Sequence, residues 1–144
     1  MLDFYVMTQV FYLDKYANKQ CHQLSIKKCL NELCLAFGST IEGRFNALKK
    51  LDLCNYKCPL IIDDYGNYAY IITRNFKAVD LLIIRVDKLI YFKAISKNKT
   101  LLYFDNFSYE VDVDIRIIKR QMQIISDYRK FVFKRRNELH FYLS

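Results

Sequence analysis

Short stretches of alternating or β-branched apolar residues recur through most of the chain, and this pattern predicts β-strands. Near the N-terminus, a polar, turn-like segment separates two such stretches from a third. A later pair flanks the sequence DDYGN and indicates a hairpin, because Asp, Gly and Asn favour turns. The stretches cover residues 4–7, 10–13, 24–26, 58–62, 68–73, 79–86, 88–95 and 99–104.

A second hairpin is predicted over residues 99–113, KTLLYFDNFSYEVDV, with its turn at Asp105 and Asn106. In the arm after the turn, residues 107–113, apolar and polar side chains alternate strictly. Every second side chain of a strand points to the same face of the sheet. One face of this arm is therefore expected to meet water.

From about Asp114 the apolar repeat becomes helical and remains so to about Arg136, with neither Gly nor Pro to interrupt it. Asp114 is placed to cap the first turn. When this helix is projected at about 100° per residue, five cations, one glutamine and one acid fall within a single arc, opposite an apolar stripe. The residues of the arc are Arg116, Lys119, Arg120, Gln123, Asp127, Lys130 and Lys134. The predicted helix, residues 114–136, thus has one basic face and one apolar face.

The segment FGSTIEGR, residues 37–44, holds two of the three glycines. Residues 24–37, which precede the helix start, fit a strand or a helix equally well. Ser39 and Glu42 have the spacing of a capping box, so a short helix is predicted from Ser39 to about Leu51. Together these elements predict an α+β fold. It comprises a mainly antiparallel sheet of six or more strands, a short helix after Ser39 and a long C-terminal helix.

The length of 144 residues suits one domain, residues 1–144, and the 53% apolar content argues against disorder. No apolar run is long enough to span a membrane, and the first residues lack the charge pattern of a signal peptide, so a cytoplasmic location is expected. Five cysteines form an odd set with one short C-x-x-x-C spacing. We interpret them as reduced thiols, mostly in the core, rather than as disulfides or metal ligands.

Positive charge is concentrated towards the C-terminus. Residues 1–114 hold 15 Lys and Arg against 13 Asp and Glu, whereas residues 115–144 hold 8 against 2. A basic stripe on one helix indicates a polyanionic partner, such as a nucleic acid, better than total charge does. The 12 Tyr and 11 Phe would also suit stacking on single-stranded bases, but most alternate with aliphatic residues, which favours core packing.

The polar residues of FGSTIEGR have two interpretations. Free amides at a helix start bind anions, so Gly38, Ser39 and Thr40, with Arg44 one turn later, suit a phosphate. The full spacing of a phosphate-binding loop is absent, so an ordinary capped helix is the simpler alternative. IEGR also matches an engineered protease site, but patterned sequence on both sides disfavours that origin.

The same residues resemble a known family. FGSTIEGR, the short helix after it and the sequence KCPL, residues 57–60, before an apolar strand are similar to the central signature of the ComK family of competence transcription factors. The resemblance continues in outline through the second hairpin and the C-terminal helix. It implies binding to A/T-rich duplex DNA, largely from the minor groove, and activation of DNA-uptake genes without any catalysis. Self-association on the DNA and a place on the nucleoid are implied in the same way.

The resemblance and the basic helix together indicate which residues would contact DNA. Cationic side chains on a rigid element suit both the narrow A·T minor groove and the phosphates beside it. Arg44 is the first candidate for a groove or phosphate contact. The predicted DNA-binding residues are Ser39, Thr40, Arg44, Arg116, Lys119, Arg120, Lys130 and Lys134.

Departures from the family pattern support a second hypothesis. Family members carry a Phe-Pro-Thr segment and often a tryptophan after the strand that follows the proline. This region here reads YAYIITRNFKAVDLLII, and the chain has no Trp. The alternative is therefore a ComK-like protein-interaction module that has lost DNA binding.

The final residues, ELHFYLS, are apolar beyond the basic helix. They loosely resemble the segment through which ComK-family proteins are handed to a proteolytic adaptor, and the alternative is that they pack on the domain. The candidate partner-binding residues are Leu139, Phe141, Tyr142 and Leu143. No arrangement of Ser, His, Cys or carboxylate residues indicates a catalytic site, and no metal or cofactor is expected.

Overall fold

The computed structural model describes residues 4–21 and 25–143, with side chains described as far as residue 140. Within these residues, nine strands form two sheets, and three helices pack with them. The larger sheet contains β1 (Val6–Met7), β2 (Phe11–Leu13), β3 (Lys19–Cys21), β4 (Leu60–Ile61), β5 (Ala69–Ile72) and β6 (Ile83–Arg85). The smaller sheet contains β7 (Tyr91–Ser96), β8 (Lys99–Tyr103) and β9 (Ser108–Val111). The helices are α1 (Ile26–Ala36), α2 (Ile41–Lys50) and α3 (Ile115–Leu143).

Every strand pair in the described residues is antiparallel, and the predicted α+β class is confirmed. The larger sheet has the order β3-β2-β1-β6-β5-β4, and Val6 of β1 lies between Leu13 of β2 and Ile84 of β6. The smaller sheet has the order β7-β8-β9. Both predicted hairpins form: β4 pairs with β5 across the DDYGN turn, and β8 pairs with β9 across Asp105 and Asn106.

Strands β1, β4, β5 and β6 of the larger sheet are buried on both faces, which explains why they are continuous apolar runs, whereas β3 at the edge is polar and exposed. In β5, Ala69 and Ile71 belong to one hydrophobic cluster and Tyr70 and Ile72 to another, because successive side chains point to opposite faces. The first cluster also holds side chains of the smaller sheet and of α3. The second holds side chains of α1. The larger sheet therefore lies between α1 on one side and the smaller sheet with α3 on the other.

α1 forms in the segment that fitted a strand or a helix equally well, and the strand predicted over residues 24–26 is wrong, since Ser25 and Ile26 begin this helix. Ser25 caps it by accepting a hydrogen bond from the amide of Lys28 at 3.1 Å. Ile26, Leu30 and Cys34 recur at the helical spacing and are buried. Cys29 and Leu33 are buried as well, and a strand would place them on the face opposite Ile26, Leu30 and Cys34. Burial against the sheet therefore selects the helix.

The FGST residues reverse the chain between α1 and α2. Gly38 adopts φ +80°, a left-handed conformation that favours glycine, and the amide of Ser39 bonds to the carbonyl of Cys34. Thr40 is the N-cap of α2, because its hydroxyl accepts from the amide of Gly43 at 2.9 Å. The short helix is confirmed, but the predicted capping role of Ser39 is wrong, since the reversal engages Ser39 with the end of α1.

α3 begins where the sequence predicts and runs beyond its predicted end. The Asp114 carboxylate accepts a hydrogen bond from the amide of Arg116 at 2.9 Å, which caps the first turn. The helix continues past Arg136 to Leu143. No Gly or Pro lies in this segment to stop it.

A buried glutamine fixes α3 against the larger sheet. Gln121 is 1% exposed, its amide nitrogen donates to the Ile72 carbonyl at 2.7 Å, and its amide oxygen accepts from the Ile72 amide at 3.0 Å. β4 begins at Leu60, opposite Tyr70, so Ile72 lies beyond that strand pair. The Gln121 side chain therefore takes the place of a neighbouring strand and satisfies both backbone groups.

The cysteines agree only in part with the expectation of reduced thiols. Cys54 and Cys58 form a disulfide that closes the loop of residues 54–58, so the prediction is wrong for this pair. Their Cα atoms lie 5.8 Å apart, a separation that the loop geometry sets and the C-x-x-x-C spacing alone does not. Cys29 and Cys34 are buried and unpaired, and burial raises the pKa of the Cys34 thiol to about 11.

Candidate nucleic-acid interface

Three lysines of α3, Lys119, Lys130 and Lys134, form a surface that we call the lysine face. All three are exposed and lie on the side of the helix opposite the buried side chains of Ile118 and Ile125. At about 1.5 Å per residue, the row is about 22 Å long. The basic face predicted for this helix is thus directed to solvent.

The lysine face carries free positive charge. Among the residues that the structure describes, no acidic side chain forms an ion pair with any of the three lysines. The one acid in the predicted arc, Asp127, instead accepts a hydrogen bond from Gln123 at 2.9 Å. The three ammonium groups are therefore available to an anionic ligand.

Arg116 lies near the start of the same helix, and its charge is largely matched by Asp114. Arg116 Nη2 lies 2.7 Å from Asp114 Oδ2, and Arg116 Nε lies 3.1 Å from the same oxygen. This side-chain hydrogen bonding lowers the pKa of Asp114 to about 2 and raises the pKa of Arg116. Arg116 is exposed, but it adds less positive potential than an unpaired lysine.

Arg120 is exposed, but its guanidinium is directed to the body of the protein, which argues against its predicted phosphate contact. Its guanidinium donates to the Tyr56 carbonyl at 2.7 Å and to the Lys57 carbonyl at 2.9 Å. Arg120 thereby joins α3 to the disulfide loop, residues 54–58. A guanidinium that already donates to two carbonyls has fewer donors left for a phosphate.

Arg44 is internal, so the prediction that it contacts the DNA groove is wrong. Its side chain is 9% exposed, forms an ion pair with Asp64 at 3.0 Å and donates to the Phe37 carbonyl at 3.1 Å. The cause is the helical period of α2, because position 44 shares a face with the buried Ile41 and Leu48. This period can be read from the sequence, and it argues against a contact of Arg44 with the DNA groove.

The hydroxyls of Ser39 and Thr40 serve the local fold. Thr40 caps α2, and the amide of Ile41 donates to the Asn31 side chain at 3.2 Å, so amides of the first turn are occupied within the chain. A side chain at position 43 would approach Ser39 Oγ to 2.8 Å, so Gly43 leaves room for the two hydroxyls. The geometry favours the ordinary capped helix over the anion-binding alternative.

Sequence reasoning missed a second group of cations beside α3. Lys49 at the end of α2, Lys57 in the disulfide loop and Arg74 after β5 line one cavity together with Tyr56. They come from three separate segments of the chain. No local pattern joins them, and only the KCPL motif marked Lys57 beforehand.

The candidate partner-binding segment is only partly described. Leu139 is 42% exposed at the side of α3. The side chains of Phe141, Tyr142 and Leu143 lie outside the described side chains, so their predicted role stays a prediction.

The described residues hold neither a candidate membrane span nor a candidate metal site. None of the helices there is both long and apolar enough to cross a membrane. In the same residues, no group of three or more His, Cys, Asp or Glu side chains is placed to hold a metal ion.

Comparisons with protein-family models, with curated proteins and with solved structures gave no significant match to the chain.

Proposed function

We propose that the protein binds double-stranded DNA through the lysine face of α3 and acts as a ComK-like transcription regulator. The observation that supports this proposal is the row of three exposed, unpaired ammonium groups on one rigid helix. Duplex DNA carries one negative charge per about 1.7 Å of its axis, so a row of about 22 Å meets several phosphates. Binding would release counterions from those phosphates, which gives a sequence-independent contribution to affinity.

In this proposal a preference for A/T-rich DNA rests on electrostatics rather than on Arg44. The narrow minor groove of A-tracts has an enhanced negative potential that attracts cationic side chains. The remaining parts of the proposal come from the resemblance to ComK: a cytoplasmic, nucleoid-associated protein that self-associates on DNA and catalyses nothing.

A second candidate function is a protein-interaction module. It is favoured by apolar side chains that α3 exposes beside the lysine face, since Phe133 is 72% exposed and Leu139 is 42% exposed. The burial of Arg44 and the hydrogen bonds of the Arg120 guanidinium to backbone carbonyls also reduce the number of cations that are free to contact DNA. These two observations fit a helix that docks another protein.

A salt titration separates the two functions. Fluorescence anisotropy of a labelled A/T-rich duplex and a labelled G/C-rich duplex would be measured over a series of salt concentrations. With three lysines and a partly neutralised Arg116, the slope of log K against log salt is expected to be about −3 to −4. Failure to bind either duplex at low salt would favour the interaction module.

Charge-matched variants locate the interface. Replacing Lys119, Lys130 and Lys134 by Gln should make the slope less steep by about 3 and weaken both duplexes. The control replaces Lys28, Lys77 and Lys88 by Gln, since these lysines are exposed and lie outside α3. Equal losses in both triple variants would show that total charge, and not the lysine face, binds the DNA.

A further inference from the structure

A cavity with cationic and aromatic walls lies between α2, the disulfide loop and the segment after β5. Its volume is about 540 Å³, within the range of small-molecule sites. Six of the side chains that line it are Phe45, Lys49, Tyr56, Lys57, Arg74 and Phe76. The lysine face of α3 does not contribute to it.

The cavity wall is positively charged and has no acidic member. Lys49, Lys57 and Arg74 line it, whereas neither Asp nor Glu does. Arg74 pairs with Asp80 at 3.3 Å, and Asp80 lines a neighbouring cavity. In the described part of the chain Lys49 has no ion-pair partner. Lys49 and Lys57 thus bring two positive charges to the lining of a space that would accept an anionic group, and Lys57 Nζ lies 5.4 Å from the centre of the Tyr56 ring.

The same cavity offers aromatic surfaces to a flat ring. Phe45 and Phe76 are half-buried and pack against the hydrophobic core, so they form a fixed wall. Tyr56 is 71% exposed and directly precedes Lys57 in the disulfide loop. Stacking on aromatic side chains tolerates every base, since each base has a π-face.

The loop that carries Tyr56 and Lys57 is held in place from both sides. The Cys54–Cys58 disulfide closes it, and Arg120 donates to the carbonyls of Tyr56 and Lys57. Lys57 also adopts φ +50°, a left-handed conformation that is uncommon for a residue other than glycine and that recurs at ligand sites. The loop therefore presents an aromatic ring and an ammonium group from a constrained backbone.

From these observations we infer that the cavity binds a nucleotide unit, with its phosphate at Lys49 and Lys57 and its base against the aromatic wall. Two sources supply this chemistry: a free nucleotide, or an unpaired nucleotide at the end of a nucleic-acid strand. The inference does not rest on duplex binding by the lysine face, because no residue is shared between the two sites.

The test uses the full chain and mant-ADP as the fluorescent probe. Mant-ADP is expected to bind, and the double variant Lys49→Gln/Lys57→Gln and the single variant Tyr56→Ala should each weaken it by about tenfold. The control Lys28→Gln/Lys88→Gln should bind as the wild type does. All of the substituted side chains are exposed, and circular dichroism would verify that each variant is folded.

Competition identifies the source of the nucleotide. Displacement by ADP but not by a 5′-phosphorylated single-stranded oligonucleotide indicates a free nucleotide, and the converse indicates a strand end. Mant-ADP binding that the cavity variants leave unchanged, or no binding of either the probe or the oligonucleotide, would overturn the inference. The variant with Gln at positions 119, 130 and 134 should retain mant-ADP binding. The two sites are thus distinguishable even if one proposal fails.

Discussion

The two halves of α3 differ in how they are held, although they form one continuous helix. In the first half, residues 115–128, five side chains are buried, including Ile118 and Gln121. In the second half, no side chain of residues 129–140, the part that is described, is buried. The first half is therefore a structural member of the core, and the second half is a solvated extension.

The second half contacts the body through the DDYGN turn after β4 and through Val132, which packs against the hydrophobic core. Arg129 Nε donates to the Gly66 carbonyl at 2.6 Å, and the Arg136 guanidinium lies 4.0 Å from the centre of the Tyr65 ring. Arg44 holds the same turn from the opposite side through Asp64. The comparison teaches that the first half of α3 anchors the fold, while the second half extends Lys130 and Lys134, two of the three residues of the lysine face, into solvent.

The largest effect on stability is expected from removing the hydrogen bonds of Gln121, which hold the first half of α3 to the larger sheet. Gln121→Leu should lower the free energy of unfolding by about 2 to 4 kcal/mol, because the buried amide and carbonyl of Ile72 would both lose their partner. Urea unfolding measures the loss. Hydrogen exchange at the Ile72 amide should also become faster.

The matched control is Gln123→Leu, on the exposed side of the same helix, which should change stability by about 0.5 kcal/mol or less. Equal costs for the two glutamine variants would contradict the role of Gln121 as the anchor of the first half.

An intermediate effect on stability is expected from removing the contact of Arg44 with the DDYGN turn, which the second half of α3 also contacts. Arg44→Ala should cost about 2 kcal/mol of stability, because it truncates a buried side chain and removes its bonds to Asp64 and Phe37. Affinity for DNA, measured at a temperature at which the variant is folded, should stay unchanged for both A/T-rich and G/C-rich duplexes.

Arg136→Ala provides the comparison, since Arg136 approaches the same Asp64 carboxylate at 3.8 Å from an exposed position. It should cost about 0.5 kcal/mol or less. A selective loss of A/T preference in folded Arg44→Ala would restore the groove role that the buried position argues against.

The smallest effect concerns the capped start of the first half. The hydrogen bond with Arg116 lowers the pKa of Asp114 to about 2, so the charged carboxylate stabilises the folded state above its ordinary pKa of 3.8. This contribution is lost as the pH falls from about 4 towards about 2. Denaturant unfolding between pH 6 and pH 2 should show this loss of stability in the wild type but not in Asp114→Asn.

Asn also caps helices but does not titrate, so the Asp114→Asn variant isolates the charge of the carboxylate. The difference in stability between wild type and variant should shrink as the pH falls through this window. A difference that stays constant down to pH 2 would show that Asp114 acts through its hydrogen bonds to the helix start and not through its charge.

Sequence patterns predicted the elements of this fold better than the site. The DDYGN and Asp105-Asn106 turns, the start of α3 at Asp114 and the solvent-facing lysines follow from periods of two or 3.6 residues, which are local. The capping residue of α2 was misplaced by one position. It depends on how Gly38 turns the chain back towards α1, a contact between two helices rather than a pattern within one.

The sequence by itself determined the two hairpins, the start of α3 and the solvated face shared by Lys119, Lys130 and Lys134, because neighbouring residues fix those features. Only the tertiary structure decided that residues 26–36 form a helix, that Arg120 donates to carbonyls of the disulfide loop and that Lys49, Lys57 and Arg74 line one cavity. Arg120 and the carbonyls that it binds are 63 and 64 positions apart along the chain. A guanidinium on a helix surface can point to solvent or reach back to a distant carbonyl, and the packing of the whole chain selects between the two.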